Sequence, residues 1–194
     1  MRLRNIVILV AVLLVLGGAF YYLNIPKPAK PQQPRYYAWQ INMDNIQHIK
    51  MSLPRQGLSQ SFIKISSSDV FPWYFDDSKH SAVDQKRWGG GIPLLLSGPG
   101  VNRIISKNTP PQILDEYGIT NPQMDIELGL SDNTTMDIKV GNKTPDGSAY
   151  YVLAPHTDND VATVDSSWYN VLSGLITDPP YANPQQASAN TTGK

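Results

Sequence analysis

The chain has no cysteine, which excludes disulfides, thiolate metal sites, cysteine nucleophiles and acylation at a cysteine. Histidine is scarce: His48, His80 and His156 are far apart in sequence and make a poor basis for an imidazole-built metal site. Charge is thin, at 16% of residues where about 25% is ordinary. The formal net charge is zero, so a generally basic nucleic-acid binder is excluded. No Gly-Lys-Ser/Thr ends a glycine-rich loop, which excludes a Walker-type phosphate cradle, and no Gly-x-Ser-x-Gly elbow is present. What remains is a chain of 194 residues with 16 prolines and 14 glycines, a length suited to one domain and its appendages.

The neutral total conceals an asymmetry. Residues 1–35 carry five basic side chains (Arg2, Arg4, Lys27, Lys30, Arg35) and no acid, leaving 11 basic against 16 acidic in the rest. Ile6 to Leu23 is uncharged and spans about 27 Å as a helix, which predicts a single transmembrane helix across residues 1–24. Arg2 and Arg4 place its N-terminus inside the cytoplasmic membrane, with the remainder outside, periplasmic or extracellular. A cleaved signal peptide is the competing reading. The run is longer than a signal-peptide apolar core, and no Ala-x-Ala stands at its end. Gly17 and Gly18 form a small-residue notch where another membrane subunit's helix could approach.

Residues 25–35 contain Pro26, Pro28, Pro31 and Pro34, the pattern of a semi-rigid polyproline linker. Residues 36–182 read as the folded domain and 183–194 as a polar, structureless tail. In the domain, Gln40–Leu53, Ser61–Ser66, Ala149–Ala154 and Asp160–Val164 read as strands, and Val70–Phe75 as an edge strand because of Pro72. Met124–Leu130 and Thr134–Val140 alternate apolar and polar residues around Ser131-Asp132-Asn133, which predicts an antiparallel hairpin. Asp84–Ser106 reads as two short helices or turns joined at Ser97–Gly100, and Trp168–Ile176 as a helix capped by Ser166 or Ser167. The expected class is α+β, an antiparallel sheet with short helices, with a possible duplication of a β-β-β-α unit. Trp88 and Trp168 would stand at matching places in its two copies.

Candidate chemistry is thin. Asp158-Asn159-Asp160 with Asp165 offers oxygens for calcium but lacks the order of a calcium loop, so a solvated turn is favoured. Ser97-Gly98-Pro99-Gly100 loses one N–H to Pro99 and reads as a turn. Asp76-Asp77 and Asp115-Glu116 are adjacent pairs, which a strand would point to opposite faces. No catalytic residue, metal ligand or cofactor site is assigned. Aromatics carry more information. Tyr36, Tyr37 and Trp39 come directly after the linker, and Trp73 and Tyr74 lie in the aromatic strand. Aromatic side chains are enriched at binding hot spots, and these five are the expected partner-binding residues beside Gly17 and Gly18.

The frame of Tyr117–Pro122 (YGITNP), the hairpin Met124–Val152 and the closing Asp178–Tyr181 (DPPY) resembles the domain-of-unknown-function 4340 family, with coverage over most of residues 40–181. The resemblance implies a membrane-anchored envelope protein, uncharacterised and bacterial, and no catalytic residues. Together these readings predict a non-catalytic, single-pass accessory subunit that binds and stabilises a larger membrane complex, of transport, respiratory or photosynthetic type. Its partners would be the bilayer and other membrane subunits, with no nucleic acid. The alternative is an envelope small-ligand-binding protein or hydrolase.

Overall fold

The computed structural model describes residues 3–24, 37–65, 71–89, 91–155, 157 and 159–182. The expected linker and tail lie outside the described residues. The chain divides into two compact units, Met1–Pro34 and Arg35–Lys194. The first contains one helix, α1 (Leu3–Asn24), whose described side chains are exposed. Among the described residues no helix is long and apolar enough to cross a membrane. This corrects the expected transmembrane segment and the single-pass placement drawn from it. The unbroken aliphatic run, Ile6–Leu16, reaches only about 16 Å as a helix, against a hydrocarbon core of about 30 Å. Beyond Leu16 the helix is diluted by Gly17, Gly18, Tyr21 and Tyr22.

The second unit is built on eight strands. β1 (Ile46–Leu53) turns through Pro54–Gln56 and Gly57 into β2 (Leu58–Lys64), and β3 (Trp73–Phe75) comes after it. Two short helices come next, α2 (Gln85–Trp88) and α3 (Ile92–Ser97), then β4 (Val101–Ser106) and α4 (Pro111–Glu116). The remainder is β5 (Met124–Leu130), β6 (Thr135–Lys143), β7 (Ala149–Leu153), β8 (Val161–Asp165) and α5 (Ser166–Thr177). All pairings are antiparallel, in the order β3-β2-β1-β5-β6-β7-β8-β4.

Alternation decides which face each strand buries. Met124, Ile126 and Leu128 pair with Val140, Ile138 and Met136, and all six are buried on one face, as the hairpin pattern requires. Ile49, Met51, Phe62, Phe75, Val152 and Val164 join them from the other strands. α2, α3 and α5 cover that face with Trp88, Leu96, Trp168, Leu172 and Ile176. A smaller cluster of Leu114, Ile119 and Val161 lies under α4 with Tyr151 and Leu153, whose side chains point away from those of Tyr150 and Val152. The β7–β8–β4 end is therefore covered on both faces, and β8 is buried at four successive positions.

Three expectations change. Val101–Ser106 is a strand, not a helical turn, because it finds β8 as an antiparallel partner. Asp165, not a serine, caps α5: its carboxylate accepts from Ser167 N at 2.8 Å. The duplication is partial. β1, β2 and β3 begin at Ile46, Leu58 and Trp73, and β5, β6 and β7 at Met124, Thr135 and Ala149, an interval of just under 80 residues. Among the described residues, the first half has no counterpart of β8 before its helices.

The YGITNP segment is explained by close packing. Tyr117 O accepts from Asn142 N at 2.7 Å. A Cβ on Gly141 would stand 2.1 Å from that same Tyr117 O. Gly118, at φ +72, lies against Asn142, and Arg55 donates to Asn121 O and Asn142 Oδ1. Gly141→Ala should therefore destabilise the domain by at least about 2 kcal/mol, since backbone must shift to admit the methyl. Gly174→Ala, inside α5 with no atom beyond the helix's own adjoining backbone within 4 Å of the added carbon, should instead stabilise by about 0.5–1 kcal/mol. Urea midpoints of the two variants check the opposite signs.

Candidate functional site

Of the seven expected partner residues, the structure brings few together. Gly17 and Gly18 lie in α1, where no atom beyond the helix's own backbone comes within 4 Å of an added Cβ. Tyr36 lies outside the described residues. Trp39 is in the core: its Nε1 donates to Leu96 O at 2.8 Å, and its ring meets Trp168 edge-on at 6.2 Å. Trp73 is buried against Trp88, with ring centroids 5.5 Å apart. As docking residues these two tryptophans are corrected: each spends its area, and Trp39 its polar atom, inside the domain. Tyr74 is half-buried in β3 opposite Ile63. Tyr37 is exposed.

Tyr37 belongs to a strap that runs along the end of α3. Ala38 N donates to Pro99 O at 3.3 Å and Ile41 N to Ser97 O at 2.7 Å. Trp39 points in and Tyr37 out. The 3₁₀ turn Met43–Asn45, which packs on α3, exposes Met43, and α3 itself exposes Leu94 at 60%. Tyr37, Met43 and Leu94 are thus exposed apolar side chains on α3 and on the two segments packed against it.

The uncovered face of β1, β5 and β6 is polar. Lys50 lies 4.0 Å from Glu127 and Lys139 3.6 Å from Asp125, exposed pairs worth about 1 kcal/mol or less each. At its β2 side three groups converge that are far apart in sequence. His48 Nε2 lies 2.9 Å from Ser61 Oγ and 3.0 Å from Asp76 Oδ2, while Ser61 Oγ donates to Asp76 Oδ2 at 3.1 Å. Gly129 opposite leaves room for the imidazole, since a Cβ there would stand 3.0 Å from His48 Cβ. A shallow hollow of about 260 Å³ adjoins, lined by Ser61, Asp76, Asp77, Lys50, Phe75 and Tyr181.

The residue types are those of a hydrolytic triad, but the geometry is not. A triad needs the carboxylate on Nδ1 and the hydroxyl on Nε2. Here both sit on Nε2; a carboxylate can only accept, so Nε2–H and the Ser61 hydroxyl each serve as donors to Asp76 Oδ2. An imidazole held as a donor cannot take the hydroxyl proton. The cluster ties β1 and β2 to the segment after β3, and the hydrogen bond from His48 is the largest cause of Asp76's pKa lying below the ordinary carboxylate value. Spacing alone could not reveal it, because Ser61 and Asp76 reach His48 only through the β1–β2 register and the turn after β3.

The remaining candidates are engaged elsewhere. Asp77 Oδ1 accepts from Lys79 N and Ser81 N, both at 3.0 Å, so Asp76 and Asp77 serve different partners. Asp158 lies outside the described residues. Asp160 accepts from Asn108 N, and Asp165 caps α5 at the opposite end of β8, about 16 Å along the strand, too far to share one ion. Among the described residues no group of three acidic or histidine side chains is placed to hold a metal. His156 lies outside the described residues, and His80 is exposed in the turn after β3.

The Asp146 carboxyl is held down to about 2 by the Thr144 hydroxyl and then by the Ser148 N–H and hydroxyl. A depressed folded pKa adds stability above the unfolded value, lost as pH falls through the folded one. The charge-dependent part of the stability difference between wild type and Asp146→Asn should be constant from about pH 7 to 5, shrink below about pH 4 and be lost as pH falls through about 2. Urea midpoints measured across that range test it. A difference independent of pH would show that the turn does not depend on this charge.

The fold and these side-chain clusters can be set beside known proteins. No curated protein matches the chain, and no solved structure does. The family described as Domain of unknown function (DUF4340) matches residues 96–174, from the end of α3 through most of α5. The resemblance expected over 40–181 is thus found over the strands β4 to β8 and their helices, and over that stretch the chain is similar to the DUF4340 family.

Proposed function

We propose that the Arg35–Lys194 unit is a non-catalytic binding module that docks on a partner protein through the surface of Tyr37, Met43 and Leu94. The observation that carries this reading is the exposed apolar rim of α3 on a helix whose position is fixed by both ends of the domain. Leu94 stands 60% exposed on a helix that buries Ile92 and Leu96. Such a surface is preorganised, so little ordering entropy opposes docking. Sparse charge around it spares an uncharged partner surface the cost of burying unpaired ions. The geometry at His48 counts against the alternative of a hydrolase, because the serine proton is held away from the base.

The test is co-purification. Tyr37→Ser with Leu94→Ser should release a stably bound partner while leaving the melting temperature within about 3 °C of wild type, as exposed substitutions do. Trp39→Ser should instead unfold the domain, since it removes a buried indole worth about 3–5 kcal/mol. Retention of the partner at wild-type level by the folded double variant would sink this docking surface.

A further inference from the structure

Directly after α5, the segment Asp178-Pro179-Pro180-Tyr181 is seated on the domain as a bound peptide would be. Its two prolines carry no N–H, so it is held mainly through its carbonyls. Asp84 N donates to Pro180 O at 2.7 Å and Ala182 N to Ala82 O at 3.0 Å, and between them Tyr181 bridges Val83 antiparallel. The Arg87 guanidinium donates to Pro179 O at 3.2 Å, to Asp178 O at 2.5 Å and to Asp178 Oδ2 at 2.6 Å. The Tyr181 ring stacks on Phe75, with centroids 3.9 Å and planes 14° apart. A paired strand edge, a cation on an acidic residue and an aromatic seat are the means by which domains recognise extended peptides.

The parts that hold this strap are short. β3 has three residues and α2 has four, too few to persist without their neighbours. α2 ends at Gly89, with φ +65, and Gly90 and Gly91 come next in the sequence. Trp88 on α2 is buried against Phe62 and Trp73, yet among the described residues its Nε1 has no hydrogen-bond partner. A buried donor without an acceptor opposes closure of this end. The strap itself is tied by two backbone pairings and by an ion pair whose Asp178 side chain is 82% exposed and so screened by water. Few buried contacts and an exposed ion pair mark a unit that opens before the rest of the domain.

We propose that the groove between Phe75 and Ala82–Arg87 is a peptide-recognition site, filled by the chain's own Asp178–Ala182, that opens to a partner protein's segment of the same chemistry: an acidic residue, two prolines and a tyrosine. The partner's carboxylate meets Arg87, one of its carbonyls takes the Asp84 N–H, and its tyrosine lies on Phe75. The attached strap competes at high effective concentration, so the groove is gated and admits a partner already held nearby. This site is separate from Tyr37, Met43 and Leu94.

The experiment titrates purified full-length protein into a fluorescein-labelled peptide with the sequence of residues 177–183, followed by anisotropy. Tyr181→Ala, whose own strap has lost its ring, should bind saturably and at least about tenfold more tightly than wild type. Alanine in place of the peptide's tyrosine, or Arg87→Ala added to the variant, should each weaken binding by about tenfold or more. Melting curves establish that the variants are folded. The proposal is overturned if folded Tyr181→Ala shows no saturable binding, or if the peptide without tyrosine binds as tightly. Hydrogen exchange of the wild type tests the opening without any variant. The Asp84 and Ala182 amides should exchange together, at least about tenfold faster than the slowest amides of β5 and β6. Exchange of both at the rate of β5 and β6 would mean that the strap opens only with the whole domain, and the proposal would fail. A wild-type dimer abolished by Tyr181→Ala would give the groove to a second copy and overturn the assignment to a partner protein. None of these measurements involves Tyr37 or Leu94, so this site and the α3 surface can fail separately.

Discussion

Helix α3 is held by its last four carbonyls, and the arrangement of the domain's interior depends on them. A six-residue helix has no stability of its own in water. Its terminal carbonyls would each cost about 1–3 kcal/mol if buried without donors. Ser97 Oγ donates to Leu94 O at 2.9 Å, Trp168 Nε1 to Leu95 O at 2.9 Å, Trp39 Nε1 to Leu96 O at 2.8 Å and Ile41 N to Ser97 O at 2.7 Å. Two of these donors are tryptophans at opposite ends of the domain sequence. Their indoles meet edge-on, so the start of the domain and the start of α5 are joined through one short helix. Holding the helix in this way buries Ile92 and Leu96 and leaves Leu94 outside, so the same hydrogen bonds that close the core display the apolar surface.

The legibility of the sequence tracks the range of the interactions. Met124–Val140 is a local hairpin, and its alternation can be read directly because both strands and the turn lie in one window. β4 could not be read so: its partner β8 begins about 60 residues later, and Pro99, Gly100 and the preceding leucines suggest broken helix. The tryptophans fail for another reason. An indole placed just after a linker is equally suited to a hot spot or to a core, and what decides is a backbone carbonyl, Leu96 O, which carries no signature in sequence. In the N-terminal run, absence of charge suggests a span that only a longer aliphatic stretch would support.

The polar cluster at His48 shows how little residue type says without register. Serine, histidine and aspartate lie within 3.1 Å of one another, yet hydroxyl and carboxylate both stand at the same ring nitrogen, Nε2. The same three side chains with Asp76 on the other ring nitrogen would be poised for proton transfer. As placed, they clasp three successive parts of the chain on an open face.

The partial duplication accounts for the order of the strands. β1 and β5 meet antiparallel in the middle of the sheet, with Ile49 opposite Leu128 and Met51 opposite Ile126. From that seam β2 and β3 extend one way, and β6 and β7 the other, so the two halves are related about the β1–β5 pair. The second half then adds β8 and lays α5 back across the sheet. The first half goes to α2 and α3 instead, and its remaining strand, β4, pairs with β8 at the end belonging to the other half. Residues 81–83 and 181–182 have closed the β3 edge. β4 is held by β8 and by the apolar contacts of Val101 and Ile105 on opposite faces, and Tyr37 bridges Gly100 at its start, so the strap that precedes Trp39 is joined to this end of the sheet.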